Sequence, residues 1–126
     1  MSTAYIDSSC IVAAAFGESG AKPMLARRRS FSRVVSSTLL EAEVFSVLRR
    51  EQCEITDAFH ADLSLIAPDR ALSDEIARVL EAGYVRGADC WHLATALYLS
   101  PDPSALTFLT LDLAQRNVAK ALGFQT

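Results

Sequence analysis

No stretch of this chain approaches the roughly 18 to 20 consecutive apolar residues that cross a bilayer, so a membrane-spanning segment is excluded on sequence. The opening Met1-Ser-Thr-Ala-Tyr-Ile-Asp7 lacks a basic segment followed by an apolar one and does not read as a secretory signal. A cytoplasmic location is expected. Cysteine is scarce: Cys10, Cys53 and Cys90 are odd in number and far apart, with no Cys-x-x-Cys spacing. That argues against a zinc ribbon and a thioredoxin-like pair and leaves each thiol as a small buried apolar group. Cys90 and His92 are two residues apart on an expected helix and point away from each other, so they make a poor soft-metal pair. Repeats, linkers and low-complexity segments are missing too. So is an excess of positive charge: the net charge of −3 argues against a nucleic-acid partner on bulk charge alone.

The distribution of charge is less uniform than its sum. Residues 1–50 hold seven Lys/Arg against four acids, and residues 51–126 hold five against eleven. The positive charge gathers at Arg27, Arg28 and Arg29 and at Arg49 and Arg50. These are either solvated helix faces or a phosphate-binding rim, whose binding would be salt-dependent and without sequence choice.

Half of the 126 residues are apolar and a fifth are charged, which fits one globular domain over residues 1–126. Short β-branched runs alternate with helix-period segments. Thr3–Asp7, Ser32–Ser36, Leu63–Ala67 and Ala105–Leu111 read as strands. Helices are expected over Cys10–Phe16, Ala21–Arg29, Ser37 or Thr38 to Arg50, Ala71–Ala82 and Gly87–Leu99, with a last one opened by Asp112 and ended by Gly123. A weaker helix is expected over Ile55–Asp62, with His60 on its surface. Ile76, Val79 and Leu80 are expected to face inward. The alternation predicts an α/β fold: a mainly parallel sheet of four to five short strands flanked by helices in three layers.

Within this pattern Gly87–Leu99 is apolar or small around most of its circumference, as in a helix buried on nearly every side. Asp89 in its first turn is the exception. Asp7 follows the first strand, Asp112 follows the fourth, and Glu41 and Glu43 lie near the start of the third helix. Each acid singly is accounted for as a helix cap. Thr38 and Glu41 match a capping box, which gives Glu41 a structural occupation and leaves Glu43, directed inward, as the functional candidate. Asp7, Glu43, Asp89 and Asp112 together at the carboxyl edge of a parallel sheet would repel one another unless a cation neutralised them. Oxygen ligands without cysteine or paired histidine select Mg2+ or Mn2+. Such an ion activates water for attack on a phosphodiester. Ser9 is placed to bond a carboxylate or phosphate, and Thr110 to orient Asp112.

Tyr5-Ile-Asp-Ser-Ser9, the segment from Ser37 through Glu43 to Arg50, Asp89-Cys-Trp-His-Leu-Ala-Thr-Ala-Leu97 and Leu109-Thr-Leu-Asp112 with Leu122-Gly-Phe124 resemble, in order, the motifs of PIN-domain ribonucleases of the VapC type. These are toxins of bacterial and archaeal toxin–antitoxin pairs. The resemblance covers essentially the whole chain and favours Glu43 over Glu41. It implies a PIN-like fold and a metal-dependent endoribonuclease with Asp7, Glu43 and Asp89 as core ligands and Asp112 as a fourth acid. It also implies a homodimer and a cognate antitoxin that inhibits it. Relatives often continue into a last edge strand, whereas this sequence stops at Phe124-Gln-Thr126. The alternatives are a catalytically silent PIN-fold interaction domain and a stand-alone Mg2+-dependent nuclease. A doubly wound phosphatase is disfavoured because Asp7-Ser-Ser9 has one acid where that class has two. A receiver domain is disfavoured because the acidic pair and late lysine are missing.

Overall fold

In the computed structural model, which describes residues 2–126, the strand Thr3–Ile6 (β1) lies inside the sheet, and its side chains separate the two halves of the core. Ala4 and Ile6 point to one side and Tyr5 to the other, as a period of two requires, and all three are buried. The chain continues through the helices Ser8–Phe16 (α1) and Ala21–Arg29 (α2), the strand Arg33–Ser37 (β2) and the helix Leu39–Arg50 (α3). Then come the strand Ser64–Ile66 (β3), the helices Ser73–Ala82 (α4) and Gly87–Leu99 (α5), the strand Thr107–Leu109 (β4) and the helix Leu113–Leu122 (α6). The strands stand in the order β3-β2-β1-β4, and every pairing is parallel. A four-stranded parallel sheet covered by helices on both faces is the three-layer α/β architecture expected from the alternation.

Two apolar clusters fill the space between layers. On one face Tyr5, Val35 and Phe108 meet Val79 of α4, Leu93 and Leu97 of α5 and Val118 and Leu122 of α6. On the other, Ala4, Ile6 and Leu109 meet Ile11 of α1, Met24 of α2 and Leu40, Val44 and Leu48 of α3. Each such leucine withdrawn from water contributes about 1.5–3 kcal/mol, which fixes the helices that carry the acids. Gly17 ends α1 in the left-handed region at φ 62°, where a side chain would be strained.

Several local expectations are corrected. Residues 55–62 form turns rather than a helix, and His60 is buried, not on the surface. The Thr38–Glu41 capping box does not form: Thr38 is already helical, and the Leu39 amide donates to Ser37 Oγ at 2.8 Å instead. Leu80 is 47% exposed, while Ile76 and Val79 pack inward. Cys10 and Cys90 are buried but Cys53 is exposed, because the chain has left α3 by that point. The strands are shorter than their apolar runs. At the carboxyl end, Gln125 makes a single parallel bridge to Thr107, with Phe108 N–H donating to Gln125 O at 2.8 Å and Gln125 N–H to Leu106 O at 3.2 Å. No helix among the described residues is long and apolar enough to cross a membrane.

Candidate active site

Because all four strands run the same way, their carboxyl ends share one edge of the sheet. Asp7 is the residue after β1 and occupies the N-cap position of α1, yet its side chain makes no capping bond. It is buried, and its Oδ1 accepts the Ser9 hydroxyl at 2.6 Å. Ser9 Oγ in turn accepts the Leu111 amide at 3.0 Å and lies 3.3 Å from Thr110 Oγ1. One hydroxyl thus ties the first acid to the segment that follows β4.

That segment contains Asp112, which caps α6: Oδ1 accepts the Gln115 amide at 2.8 Å. The Gln115 side chain does not turn back to complete a capping box. It is fully buried, its Oε1 accepts from Thr110 Oγ1 at 2.7 Å, and its Nε2 donates to the Asp89 carbonyl at 3.3 Å. Thr110 Oγ1 also accepts the Asp112 amide at 3.0 Å. Gln115 therefore holds the start of α5 and the start of α6 in one network. The Asp112 side chain sits at an exposed position, and Asp89 is half-buried.

Glu43 reaches the same edge from α3. Its Oε1 lies 2.5 Å from His92 Nε2, and His92 Nδ1 lies 2.7 Å from the Tyr5 hydroxyl. A neutral ring protonated at Nε2 satisfies both contacts, donating to the carboxylate and accepting from the phenol. His92 and Tyr5 are both fully buried, so the Glu43 carboxylate is anchored from the core outward. Glu41, two residues earlier, diverges from it on the helix and meets His60 Nε2 at 3.0 Å. Trp91 Nε1 donates to Ser37 Oγ at 3.2 Å, joining α5 to the end of β2.

The acids act on one another's charge. Burial pushes the Asp7 carboxyl up to about 6, against the opposing pull of Ser9, His92 and Thr110, and Asp89 pushes it further. Asp89 is also raised, first by burial and then by Asp112 and Glu43. All four carboxylates are hard oxygen donors, and their mutual repulsion is of the kind a divalent cation relieves. In kind, the donor set fits such an ion. Its placement is looser: among the described residues no three His, Cys, Asp or Glu side chains lie close enough to hold a metal ion as they stand.

The arginine clusters are not brought to this edge. Arg27, Arg28 and Arg29 end α2 just before β2 begins, at the amino end of the strands. Arg27 donates to Thr126 O at 2.8 Å, and Arg28 pairs with Asp62. Arg49 and Arg50 close α3, which starts at the carboxyl edge and runs back along the sheet. The sequence singled out the acids, Ser9 and Thr110, but not Tyr5, His92 or Gln115 as their supports. The histidine at i+3 from Asp89 was the one available signal, and it serves Glu43 instead.

The carboxyl edge of a parallel α/β sheet is where such folds bind ligands, and the fold alone specifies no activity. The sequence model of the PIN domain matches residues 4–121, nearly the whole chain, and the protein belongs to the PIN-domain family. PIN domains are generally nucleases. No curated protein and no solved structure matches the chain.

Proposed function

We propose that this protein is a metal-dependent endoribonuclease that hydrolyses RNA phosphodiester bonds, and that it serves as the toxin of a VapBC-type toxin–antitoxin module. The observation that carries the nuclease reading is the treatment of Asp7 and Glu43. Neither caps a helix through its side chain, yet each has one oxygen held by a dedicated donor, Ser9 or His92. Helix capping does not account for two such carboxylates at one sheet edge.

Asp7, Glu43, Asp89 and Asp112 are the residues that would hold Mg2+ or Mn2+. When bound, such an ion lowers the pKa of a water for attack on phosphorus and neutralises charge on the leaving oxygen. The chain's own contribution is positional. Ser9 and His92 fix the carboxylates of Asp7 and Glu43, and Gln115 keeps Asp89 and Asp112 at a set separation. The toxin assignment, a homodimer, a cognate antitoxin and a cytoplasmic location are supported by the likeness of the four sequence motifs to VapC-type proteins.

The test is cleavage of a mixed RNA pool in Mg2+ or Mn2+ and in EDTA, beside Asp7→Asn and Glu43→Gln. Metal-dependent cleavage, lost in both variants, is expected. No cleavage from folded protein in any condition overturns it in favour of a catalytically silent PIN-fold interaction domain. That among the described residues no three ligands stand ready-made is what favours that second reading.

A further inference from the structure

A groove of about 400 Å3 opens between α4 and the start of α5, lined by Ile76, Leu80, Tyr84, Val85, Arg86 and Trp91 among others. Its walls are mostly apolar, and Tyr84, one of the lining residues, is 83% exposed. The groove adjoins the acidic edge. Arg86 is the N-cap residue of α5, Asp89 lies in the first turn of the same helix, and Trp91 is bonded to Ser37 at the carboxyl end of β2. Arg86 makes no ion pair among the described residues and lies within electrostatic range of Asp89.

We propose that this groove is a base-binding subsite for single-stranded RNA, in which a base next to the scissile phosphate stacks on Tyr84 and Trp91 while Arg86 meets the backbone. The subsite rests on the nuclease reading above and adds the form of substrate to it. The chain carries a net charge of −3, and its two arginine clusters sit at the opposite edge of the sheet. The cations beside the acids are Arg86 and Arg116, whose Nη2 donates to the Thr110 carbonyl at 2.8 Å, and stacking is a further source of affinity there. Stacking on aromatic side chains supplies it without regard to sequence, because every base has a π-face, and a nearby guanidinium complements the phosphate that follows. The volume is at the lower end of small-molecule sites and suits one base better than a folded RNA surface.

Trp91 is the sole tryptophan, so the chain carries its own probe. The experiment is titration of Trp91 fluorescence with an oligoadenylate of about six nucleotides, in EDTA so that nothing is cleaved, for wild type, Tyr84→Ala and Tyr84→Phe. Saturable quenching is expected, about tenfold weaker in Tyr84→Ala and retained in Tyr84→Phe, because the exposed ring contributes stacking and not fold. Absence of quenching, or equal affinity in Tyr84→Ala, overturns the subsite. Loss of a dimer in Tyr84→Ala with oligonucleotide affinity unchanged also overturns it and makes the groove an interface between copies. Metal-dependent cleavage without quenching removes the subsite alone. Tyr84-dependent quenching without cleavage supports the subsite and removes the nuclease.

Discussion

His92 Nε2 sits 2.5 Å from Glu43 Oε1, so a fully buried ring of α5 sets the direction of a carboxylate on α3 that is 49 positions away in sequence. The Tyr5 hydroxyl behind it fixes the other ring nitrogen. His92→Gln retains an N–H donor with similar reach, whereas His92→Leu removes it and leaves Glu43 unanchored. Supporting contacts of this kind change metal affinity by about 10- to 100-fold. Mn2+ binding, followed by the electron-spin signal of the free ion, is expected to weaken by that order in His92→Leu and to recover in part in His92→Gln. Equal weakening in both would assign the ring a packing role.

Asp7 predicts a pH dependence opposite to that of a salt-bridged acid. Its folded pKa of about 6 lies above the ordinary aspartate value of 3.8, so within that window the folded chain holds a proton that the unfolded chain has released. Stability is therefore full below the window, falls as pH rises through it and stays lower above about 6. The loss is on the order of 3 kcal/mol at one unit per 1.36 kcal/mol. Asp7→Asn is expected to unfold at higher urea than wild type at pH 7 in EDTA, and at nearly the same concentration near pH 4. A wild type that gains stability between pH 4 and 7, relative to that variant, would contradict the assignment.

Gln115 joins Thr110, Asp112 and Asp89 from a fully buried position. Gln115→Leu keeps the backbone cap on Asp112 but strips the side-chain bonds from Thr110 and from the Asp89 carbonyl. Losing two buried hydrogen bonds of about 0.5–1.5 kcal/mol each costs about 1–3 kcal/mol. Urea unfolding is expected to show that loss with an unchanged slope.

Glu41 and Glu43 are distinguished by their partners rather than by their exposure. Glu41→Gln disturbs the contact with His60 and is expected to leave cleavage within about twofold of wild type, because a half-exposed pair of this kind is worth roughly 0–1 kcal/mol. Glu43→Gln is expected to abolish cleavage. The same RNA assay separates them, and the reverse result would shift the helix register of the site.

Arg27 and Arg29 lie at the amino edge of the sheet, away from the acids. Replacing both by Ala is expected to leave oligonucleotide affinity and its salt slope unchanged. A slope reduced by about one per arginine would show that the RNA path wraps to that edge.

Most of the layer order was legible because strand and helix periods alternate cleanly. The bounds of α2 and α5 agree with the sequence because Pro23 marks the first turn of α2, and Gly87 with the apolar run after it marks α5. Residues 55–62 were misread: Phe59, His60 and Leu63 occur at a spacing that resembles a helix, but they pack inward as turns against the α3 side of the core. The acids stood out because each follows a strand or opens a helix. Their supports did not, because Tyr5–His92 and Gln115–Asp89 join residues 87 and 26 positions apart, and no local pattern records such a contact.

The bridge at Gln125 bears on how copies of this chain can meet. The sheet has two borders, β3 and β4. β3 is three residues long, and the far side of β4 is already occupied by the carboxyl-terminal segment, which takes and gives one backbone hydrogen bond there. Neither border offers the long row of open amides and carbonyls that recruits a strand from another molecule. Growth of the sheet into a continuous intermolecular ribbon thereby finds a poor template at both ends.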